Sequence, residues 1–196
     1  MSERLVTQNP LLAGFPAAAG LYRPEDEKDA CGLASVVSLT GEPSHEIIAL
    51  ALEALENLEH RGAVGSDAGT GDGAGILSDL PDAFIRAVLA EEFPEVKLPS
   101  TGGYAAGLVF LPKASTERKA ARYRIAAIAA EEGLAALAWR AVAVRPEVLG
   151  ESARAASPVI EQAIFAPRGG ESIDTDQLER RAYRARKRIQ HETGCY

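Results

Sequence analysis

The stretch Asp29-Ala-Cys-Gly-Leu-Ala-Ser-Val-Val-Ser-Leu39 marks the point at which an irregular leader gives way to a sequence that can fold. The preceding residues, 1–30, contain three prolines and a charged run that ends at Asp29, a composition that favours neither a helix nor a strand. From Cys31 the residues become β-prone, and Gly41 and Pro43 bound the run. We therefore predict a leader over residues 1–30 and a first strand that begins at Cys31.

Cys31 is a candidate nucleophile because it stands at the start of this run. A single cysteine in an apolar run is more often a buried core residue. If the leader were removed between Ala30 and Cys31, the thiol and a free α-amine would belong to one residue. An α-amine titrates at about 7.7–8 and a thiol at about 8.5, so the amine could serve as the base for the thiol without any histidine. The residues alone leave both interpretations of Cys31 open.

The rest of the chain alternates between helical and strand patterns. Ser44 is a predicted N-cap for an amphipathic helix that ends at Gly62, and Pro81 suits the first turn of a helix that continues to about Phe93. The further predicted elements are a strand over 105–111, a helix over 115–131, apolar runs over 134–144 and 159–165, and a last helix that Asp176 caps and that ends near Gln190. This order favours an α/β or α+β class with helices packed on sheet faces.

A glycine-rich loop over residues 62–75 is the second candidate functional feature, with six glycines in fourteen residues. Such a density indicates positive φ angles or a close approach of the backbone to a neighbour or ligand. Residues 69–74 fit the loose GxGxxA pattern, but a nucleotide-binding loop follows a strand and opens into a helix, whereas this one follows a helix. Asp67 and Asp72 would also repel phosphate, so the nucleotide interpretation is disfavoured.

Composition and charge exclude several classes of function. The 196 residues are 46% hydrophobic and 25% charged with a net charge of -7, which is typical of a soluble globular protein and argues against binding to nucleic acid or an anionic membrane. The basic residues between Arg180 and Arg188 are expected to form the solvated face of a helix. The two cysteines and three histidines lack metal-ligand spacing, and this cysteine usage favours the reducing cytoplasm.

Four segments of the sequence, in order, resemble the start of the glutamate synthase large subunit. They are Asp29-Ala-Cys-Gly-Leu33, Ser44-His-Glu-Ile47, Ala54-Leu-Glu-Asn-Leu-Glu-His-Arg-Gly-Ala-Val-Gly-Ser-Asp67 and Thr70-Gly-Asp-Gly-Ala-Gly-Ile76. The earlier run Gly20-Leu-Tyr-Arg-Pro-Glu-Asp-Glu-Lys-Asp29 is similar to the leader of that family. The resemblance rests on these motifs over residues 20–112, and on the order of the elements over 113–196.

The resemblance implies a class II glutamine amidotransferase domain of the N-terminal-nucleophile (Ntn) hydrolase fold. Its fold would be α+β, a four-layer αββα sandwich, with residues 1–30 as a cleaved leader and 31–196 as a partial domain. Cys31 would then be the first residue of the mature chain and the catalytic nucleophile, attacking the side-chain amide of L-glutamine so that ammonia leaves. Arg61 and Gly62 match an arginine–glycine pair of related amidotransferases in which the arginine lies beside the nucleophile, so Arg61 would be a positive group that helps to order the pocket. Gly71, Asp72 and Gly73 would shape the pocket wall.

The same family implies partners and cofactors that lie outside this segment. Ammonia would travel to 2-oxoglutarate on a part of the enzyme that carries FMN and an iron–sulfur cluster, and reduction would give a second glutamate. The expected partners are the remainder of the large subunit and a small reductase subunit, with no nucleic acid and no membrane. No cofactor and no metal are expected in the segment itself.

Two departures from the family pattern bear on activity. Gly32-Leu33-Ala34 replaces the usual Gly-Val-Gly or Gly-Val-Ala, which is a small packing change. The Asn-Gly pair that forms the family's oxyanion hole is absent, because Asn9 and Asn57 are the only asparagines and neither precedes glycine. We therefore expect that the sequence is cut short before its domain is complete. Because the loss of one oxyanion donor lowers the rate by about 10²–10³, we also expect that this segment alone is nearly inactive. The alternatives are a stand-alone Ntn amidase and a non-catalytic remnant that acts as a binding module.

Overall fold

The computed structural model describes residues 32–58, 70–71 and 73–195. The chain divides into two compact units, the first comprising residues 1–65 with 71–76 and the second residues 66–70 with 77–196. The first unit contains helix α1 (His45–Asn57). The second contains α2 (Asp82–Glu92), β1 (Ala105–Leu111), α3 (Ser115–Glu131), β2 (Leu134–Ala141), α4 (Glu151–Ala156), β3 (Val159–Pro167) and α5 (Thr175–Thr193).

Helix α1 of the first unit begins where the sequence predicts. The Ser44 hydroxyl accepts a hydrogen bond from the backbone N–H of Glu46 at 3.1 Å, which confirms Ser44 as the N-cap. A half-buried stripe follows the helical period and includes Ile47, Ile48 and Leu55. The helix ends at Asn57, and the predicted end at Gly62 lies outside the described residues.

The predicted first strand is wrong over its described part. Residues 32–38 have no regular secondary structure, and Leu33 and Leu39 are 90% and 100% exposed. A strand needs a neighbour that takes up its backbone hydrogen bonds, and β-propensity expresses how well side chains fit such a paired surface. Within residues 32–58 and 73–76 no strand is present to supply that neighbour, so the β-prone composition alone does not produce one.

The second unit is built on an antiparallel sheet in the order β1-β3-β2. The predicted strand over 105–111 is confirmed to the residue, and the apolar runs at 134–144 and 159–165 form strands over 134–141 and 159–167. Ala105 pairs with Phe165 and Leu111 with Val159, while on the other side Leu134 pairs with Pro167. The register of β2 shifts between Ala136 and Ala138, which marks a bulge.

Three helices of the second unit confirm predicted positions, whereas α4 was not predicted. Helix α3 occupies the predicted 115–131, and α2 begins at Asp82, so Pro81 is its N-cap and does not lie in the first turn. The N-cap of α5 is Asp174 and not Asp176, because the Asp174 carboxylate accepts the backbone N–H of Gln177 at 2.7 Å. Glycine at position 194 closes α5 with a φ of 67°. The helix therefore runs to Thr193, three residues beyond the predicted Gln190.

Neighbouring residues of β3 supply the cores on the two faces of the sheet, because successive strand side chains point to opposite sides. Ala163 belongs to a cluster with Val109, Leu111, Ile125 and Cys195, on the face covered by α3 and α5. Ile164 belongs to a cluster in which Ile85 and Leu89 of α2 pack against Tyr104, Ala138 and Ala166 on the other face. The fold is thus a mixture of helices and strands, as the α+β prediction requires.

Replacing Ile125 with alanine should lower the free energy of unfolding by about 2–5 kcal/mol, because this side chain is 0% exposed and its loss leaves a cavity beneath α3. Tyr123→Ala is the matched control on the same helix, since Tyr123 is 80% exposed and should change stability by about 0.5 kcal/mol or less. Urea denaturation measures both variants. Equal losses at the two positions would contradict the assigned burial.

Candidate functional site

The structure describes part of the site that the sequence predicts. Gly71 and Gly73 are described, whereas Cys31, Arg61, Gly62 and Asp72 lie outside the described residues. Gly73 has a φ of 97°, a conformation that side chains other than glycine rarely adopt. This angle confirms that the glycine-rich loop uses the conformational freedom of glycine at this position.

Thr70 lies directly before Gly71 and carries an unsatisfied group. Its hydroxyl oxygen is buried and has no hydrogen-bond partner in the described part of the chain. A buried hydroxyl without a partner costs about 1–3 kcal/mol. This unsatisfied hydroxyl stands at a position that belongs to the Thr70–Ile76 motif.

Gly32, the residue after Cys31, packs against the C-terminal end of α1. A Cβ atom at position 32 would lie 3.0 Å from Cδ2 and 3.1 Å from Cβ of Leu58. Leu58 caps α1 and is the last described residue before the loop that carries Arg61. The first described residue after Cys31 and the last one before the Arg61 loop are thus in contact, and glycine permits this approach.

The first of three polar clusters in the second unit joins α2 to the turn before β1. The Asp82 carboxylate accepts hydrogen bonds from Arg86 at 2.9 Å, from the Thr101 hydroxyl at 3.0 Å and from the Tyr104 hydroxyl at 2.8 Å. The Arg86 guanidinium also donates to the carbonyl of Pro99 at 2.5 Å. Mainly through the Arg86 hydrogen bond, the pKa of Asp82 falls from 3.8 to about 2. Burial, followed by the hydrogen bond to Asp82, raises the pKa of Tyr104 to about 12.

Glu161 is a buried carboxylate on the central strand. The Arg122 guanidinium engages both of its oxygens, with Nε 2.6 Å from Oε2, and the same guanidinium lies 5.5 Å from the centre of the Trp139 ring. The Trp139 ring in turn meets Phe165 edge to face at 6.4 Å. This bidentate pair neutralises a charge that would otherwise be costly inside the sheet–helix interface.

Helices α3 and α5 are joined by a third polar cluster. Arg188 on α5 donates to Glu132 at 3.0 Å and to Glu192 at 2.9 Å, and it also contacts Glu131. Arg184 forms a second contact with the buried Glu132 at 3.0 Å. The hydrogen bonds to Glu131, Glu132 and Glu192 raise the pKa of the Arg188 guanidinium. Three arginines of α5, Arg181, Arg184 and Arg188, therefore form ion pairs with carboxylates outside the helix.

These clusters fit structural roles better than catalytic ones. Asp82, Glu132 and Glu161 are each paired with arginine, so none resembles an unpaired general base. Among the residues that the structure describes, no group of three His, Cys, Asp or Glu side chains could hold a metal ion. None of the three clusters is among the features predicted from the sequence, although the i, i+4 spacing of Asp82 and Arg86 is a local signal for one of them.

No helix in the described part of the chain combines the length and the apolar character that a membrane span requires.

The chain belongs to the class II glutamine amidotransferases, whose family profile matches residues 31–195. It is 39% identical to the glutamate synthase (NADPH) large chain of Bacillus subtilis over 177 residues, which are 90% of this chain and 11% of that protein. It is 38% identical to the glutamate synthase (NADH) of Schizosaccharomyces pombe over 193 residues, 95% of this chain and 9% of the relative. The predicted resemblance is thereby confirmed, and the chain spans about a tenth of the length of these relatives.

Asp82→Asn should destabilise the second unit at neutral pH and flatten the pH dependence of its unfolding between about pH 4 and pH 2. Because the folded pKa of Asp82 lies below its ordinary value, the ionised carboxylate stabilises the fold above about pH 4, and this stabilisation is lost as the pH falls to about 2. Urea midpoints measured across this range check the prediction.

The matched control for this variant is Asp176→Asn, which removes a carboxylate whose ion pair with Arg180 is largely exposed. Its profile should follow that of the unchanged chain. A profile for Asp82→Asn that runs parallel to the unchanged chain across the whole range would show that the Asp82 cluster does not carry the acid sensitivity.

Proposed function

We propose that this chain is the glutaminase part of a glutamate synthase large subunit and that Cys31 is its N-terminal nucleophile. The observation that carries the proposal is the family match, which begins at Cys31, the residue directly after the predicted leader over 1–30. The similarity to glutamate synthases that use NADPH, NADH or ferredoxin supports the assignment to this enzyme. The domain boundaries in this proposal are residues 1–30 for the leader and 31–196 for a partial amidotransferase domain.

In the proposed reaction the Cys31 thiol transfers its proton to its own α-amine as the sulfur attacks the side-chain carbonyl of L-glutamine. The tetrahedral intermediate collapses when the α-ammonium group protonates the leaving nitrogen, which releases ammonia and leaves a thioester. Water then attacks the thioester carbonyl while the α-amine accepts a proton from it. The C–S bond breaks and the α-ammonium group returns the proton to the sulfur, which gives glutamate and the free thiol. One residue thereby supplies both the nucleophile and the proton carrier.

The proposed pocket brings Arg61 and Gly62 close to Cys31. Support comes from the contact between Gly32 and Leu58, which joins the residue after the nucleophile to the end of α1. Arg61 would then hold a positive charge beside the thiol, and a neighbouring cation lowers the pKa of a thiol. Gly71, Asp72 and Gly73 form part of the pocket wall in this proposal, and the positive φ of Gly73 supports a sharply turned loop there.

For the whole enzyme we propose that ammonia is delivered to 2-oxoglutarate for reductive synthesis of glutamate. FMN and the iron–sulfur cluster would be bound by other parts of the large subunit, and a small reductase subunit would be a further partner. In the complete domain, we propose that the described sheet is one of the two inner layers of an αββα sandwich. The cysteine usage, with Cys195 present as a free thiol, supports a cytoplasmic location.

A chain that starts at Cys31 should be alkylated at that residue by a glutamine-like diazo ketone, because the α-amine promotes thiolate formation. A chain that retains residues 1–30 should react at least about ten times more slowly at Cys31, since its α-amine is then an amide and cannot act as a base. Mass mapping of the alkylated peptides measures both rates. Cys195 is buried and serves as the internal control.

The outcomes of this experiment separate the alternatives. Equal rates with and without the leader would contradict the N-terminal mechanism. Alkylation by iodoacetamide but not by the diazo ketone would indicate an amidase of another specificity. An unreactive Cys31 in both chains would favour a non-catalytic binding module.

Arg61→Gln should slow the alkylation of Cys31 roughly ten-fold near neutral pH, because without the neighbouring cation a smaller fraction of the thiol is ionised to the reactive thiolate. The rate should recover at higher pH, where the thiol ionises without assistance. Arg180→Gln, on the exposed face of α5, is the matched control and should react like the unchanged chain. If the alkylation rate of Arg61→Gln has the same pH dependence as that of the unchanged chain, Arg61 does not lie beside the thiol.

A further inference from the structure

Leu58 stands at the end of α1, and the helix holds it in place. Its backbone N–H donates to the carbonyls of Ala54 and Leu55, both at 3.1 Å. Its side chain continues the half-buried stripe of α1, because it follows Leu55 by three residues and Ala54 by four. Backbone hydrogen bonds and helix packing therefore both fix where the Leu58 side chain lies.

The packing of Leu58 explains why a glycine stands at position 32. A Cβ atom there would lie 3.0 Å from Cδ2, 3.1 Å from Cβ and 3.2 Å from Cδ1 of Leu58. Carbon atoms in favourable contact lie about 3.5–4.0 Å apart, so any larger residue would have to push the two segments apart by several tenths of an ångström. Gly32 is not among the described glycines with a positive φ, so its backbone conformation does not demand glycine. What demands it is the space that the Leu58 side chain occupies.

The chain connects this contact to both groups of the proposed site. Gly32 directly follows Cys31, and neighbouring Cα atoms are about 3.8 Å apart. Arg61 is three residues beyond Leu58, so its Cα atom can lie no more than about 11 Å from that of Leu58. A change in the packing of Leu58 on Gly32 is therefore passed on to both groups through a short length of backbone.

We propose that Leu58 is a positioning residue of the candidate site, and that by packing on Gly32 it sets the separation between the Cys31 thiol and the Arg61 guanidinium. The inference rests on the proposed function, in which Cys31 is the nucleophile and Arg61 is the cation beside it. Leu58 acts through Arg61 and takes no part in the reaction itself. Its side chain has to reach position 32, and position 32 has to remain without a side chain.

The test measures the rate at which iodoacetamide alkylates Cys31 in a chain that starts at this residue. Leu58→Ala removes the two Cδ atoms that lie against position 32. It should slow the alkylation about three- to ten-fold near neutral pH, because a displaced Arg61 leaves a smaller fraction of the thiol ionised. The rate should converge with that of the unchanged chain at high pH, where the thiol is ionised in both. Mass mapping of the peptides assigns the label to Cys31.

A double-mutant cycle with Arg61 distinguishes positioning from a merely structural role. In a chain that carries Arg61→Gln the cation is already absent, so the addition of Leu58→Ala should change the alkylation rate by less than about two-fold. A structural role of Leu58 would slow the reaction by the same factor whether or not Arg61 is present. Equal factors in the two backgrounds would therefore overturn the proposal.

Further variants test the contact without truncation of Leu58. Gly32→Ala adds a methyl group against Leu58 and should slow the alkylation in the same way as Leu58→Ala, again only when Arg61 is present. Leu58→Met keeps a flexible apolar side chain of similar volume and should react like the unchanged chain. Leu52→Ala is the matched control on α1, since Leu52 is 49% exposed, and it should leave the rate unchanged.

Two comparisons separate a failure of this inference from a failure of the proposed function. If Cys31 is alkylated equally fast with and without residues 1–30, the N-terminal mechanism is wrong and the role of Leu58 is overturned with it. If the leader and Arg61→Gln both slow the reaction but Leu58→Ala and Gly32→Ala do not, the proposed function stands and only the positioning role of Leu58 is overturned.

Discussion

The antiparallel pairing of β3 with both β1 and β2 is the constraint on which the second unit depends. It fixes which residues of β3 point to each side, so that Ala163 and Ile164 enter different cores. Helices α3 and α5 can bury their apolar faces only where this register presents a matching surface. The arginine pairs at Glu161 and Glu132 then satisfy the two charged groups that the same packing removes from water.

Local patterns were sufficient to predict most of the elements of this unit. The strand at 105–111 and the helix at 115–131 follow from an unbroken apolar run and from helical spacing, and both are found with the predicted bounds. The prediction of a strand after Cys31 was wrong over its described part, because a strand needs a partner strand elsewhere in the chain and the composition of the run does not specify one. The observed N-cap of α5 lies two residues before the predicted one. Asp174 and Asp176 are both suitable N-caps by residue type, and the path of the backbone decides between them.

Physical reasoning from the residues left two interpretations of Cys31 open, and the resemblance favoured the nucleophile and added Arg61. The contact between Gly32 and Leu58 supports the proposed proximity of Cys31 and Arg61. The pairs Asp82–Tyr104 and Arg122–Glu161 could not be predicted from sequence. Their partners are 22 and 39 residues apart and meet through tertiary packing alone. The one sequence signal for the second pair is Glu161, a charged residue within the apolar run of β3, which indicates that a cation lies nearby.

Trp139 is the one tryptophan in the chain, and its surroundings make it an optical reporter. The indole is in contact with the Arg122 guanidinium of α3 and in a T-shaped arrangement with the Phe165 ring of β3. Its emission therefore reports separation of α3 from the sheet, whereas tyrosine emission is shared among several sites. The second unit thus carries an intrinsic fluorophore by which its opening can be followed separately from events around Cys31.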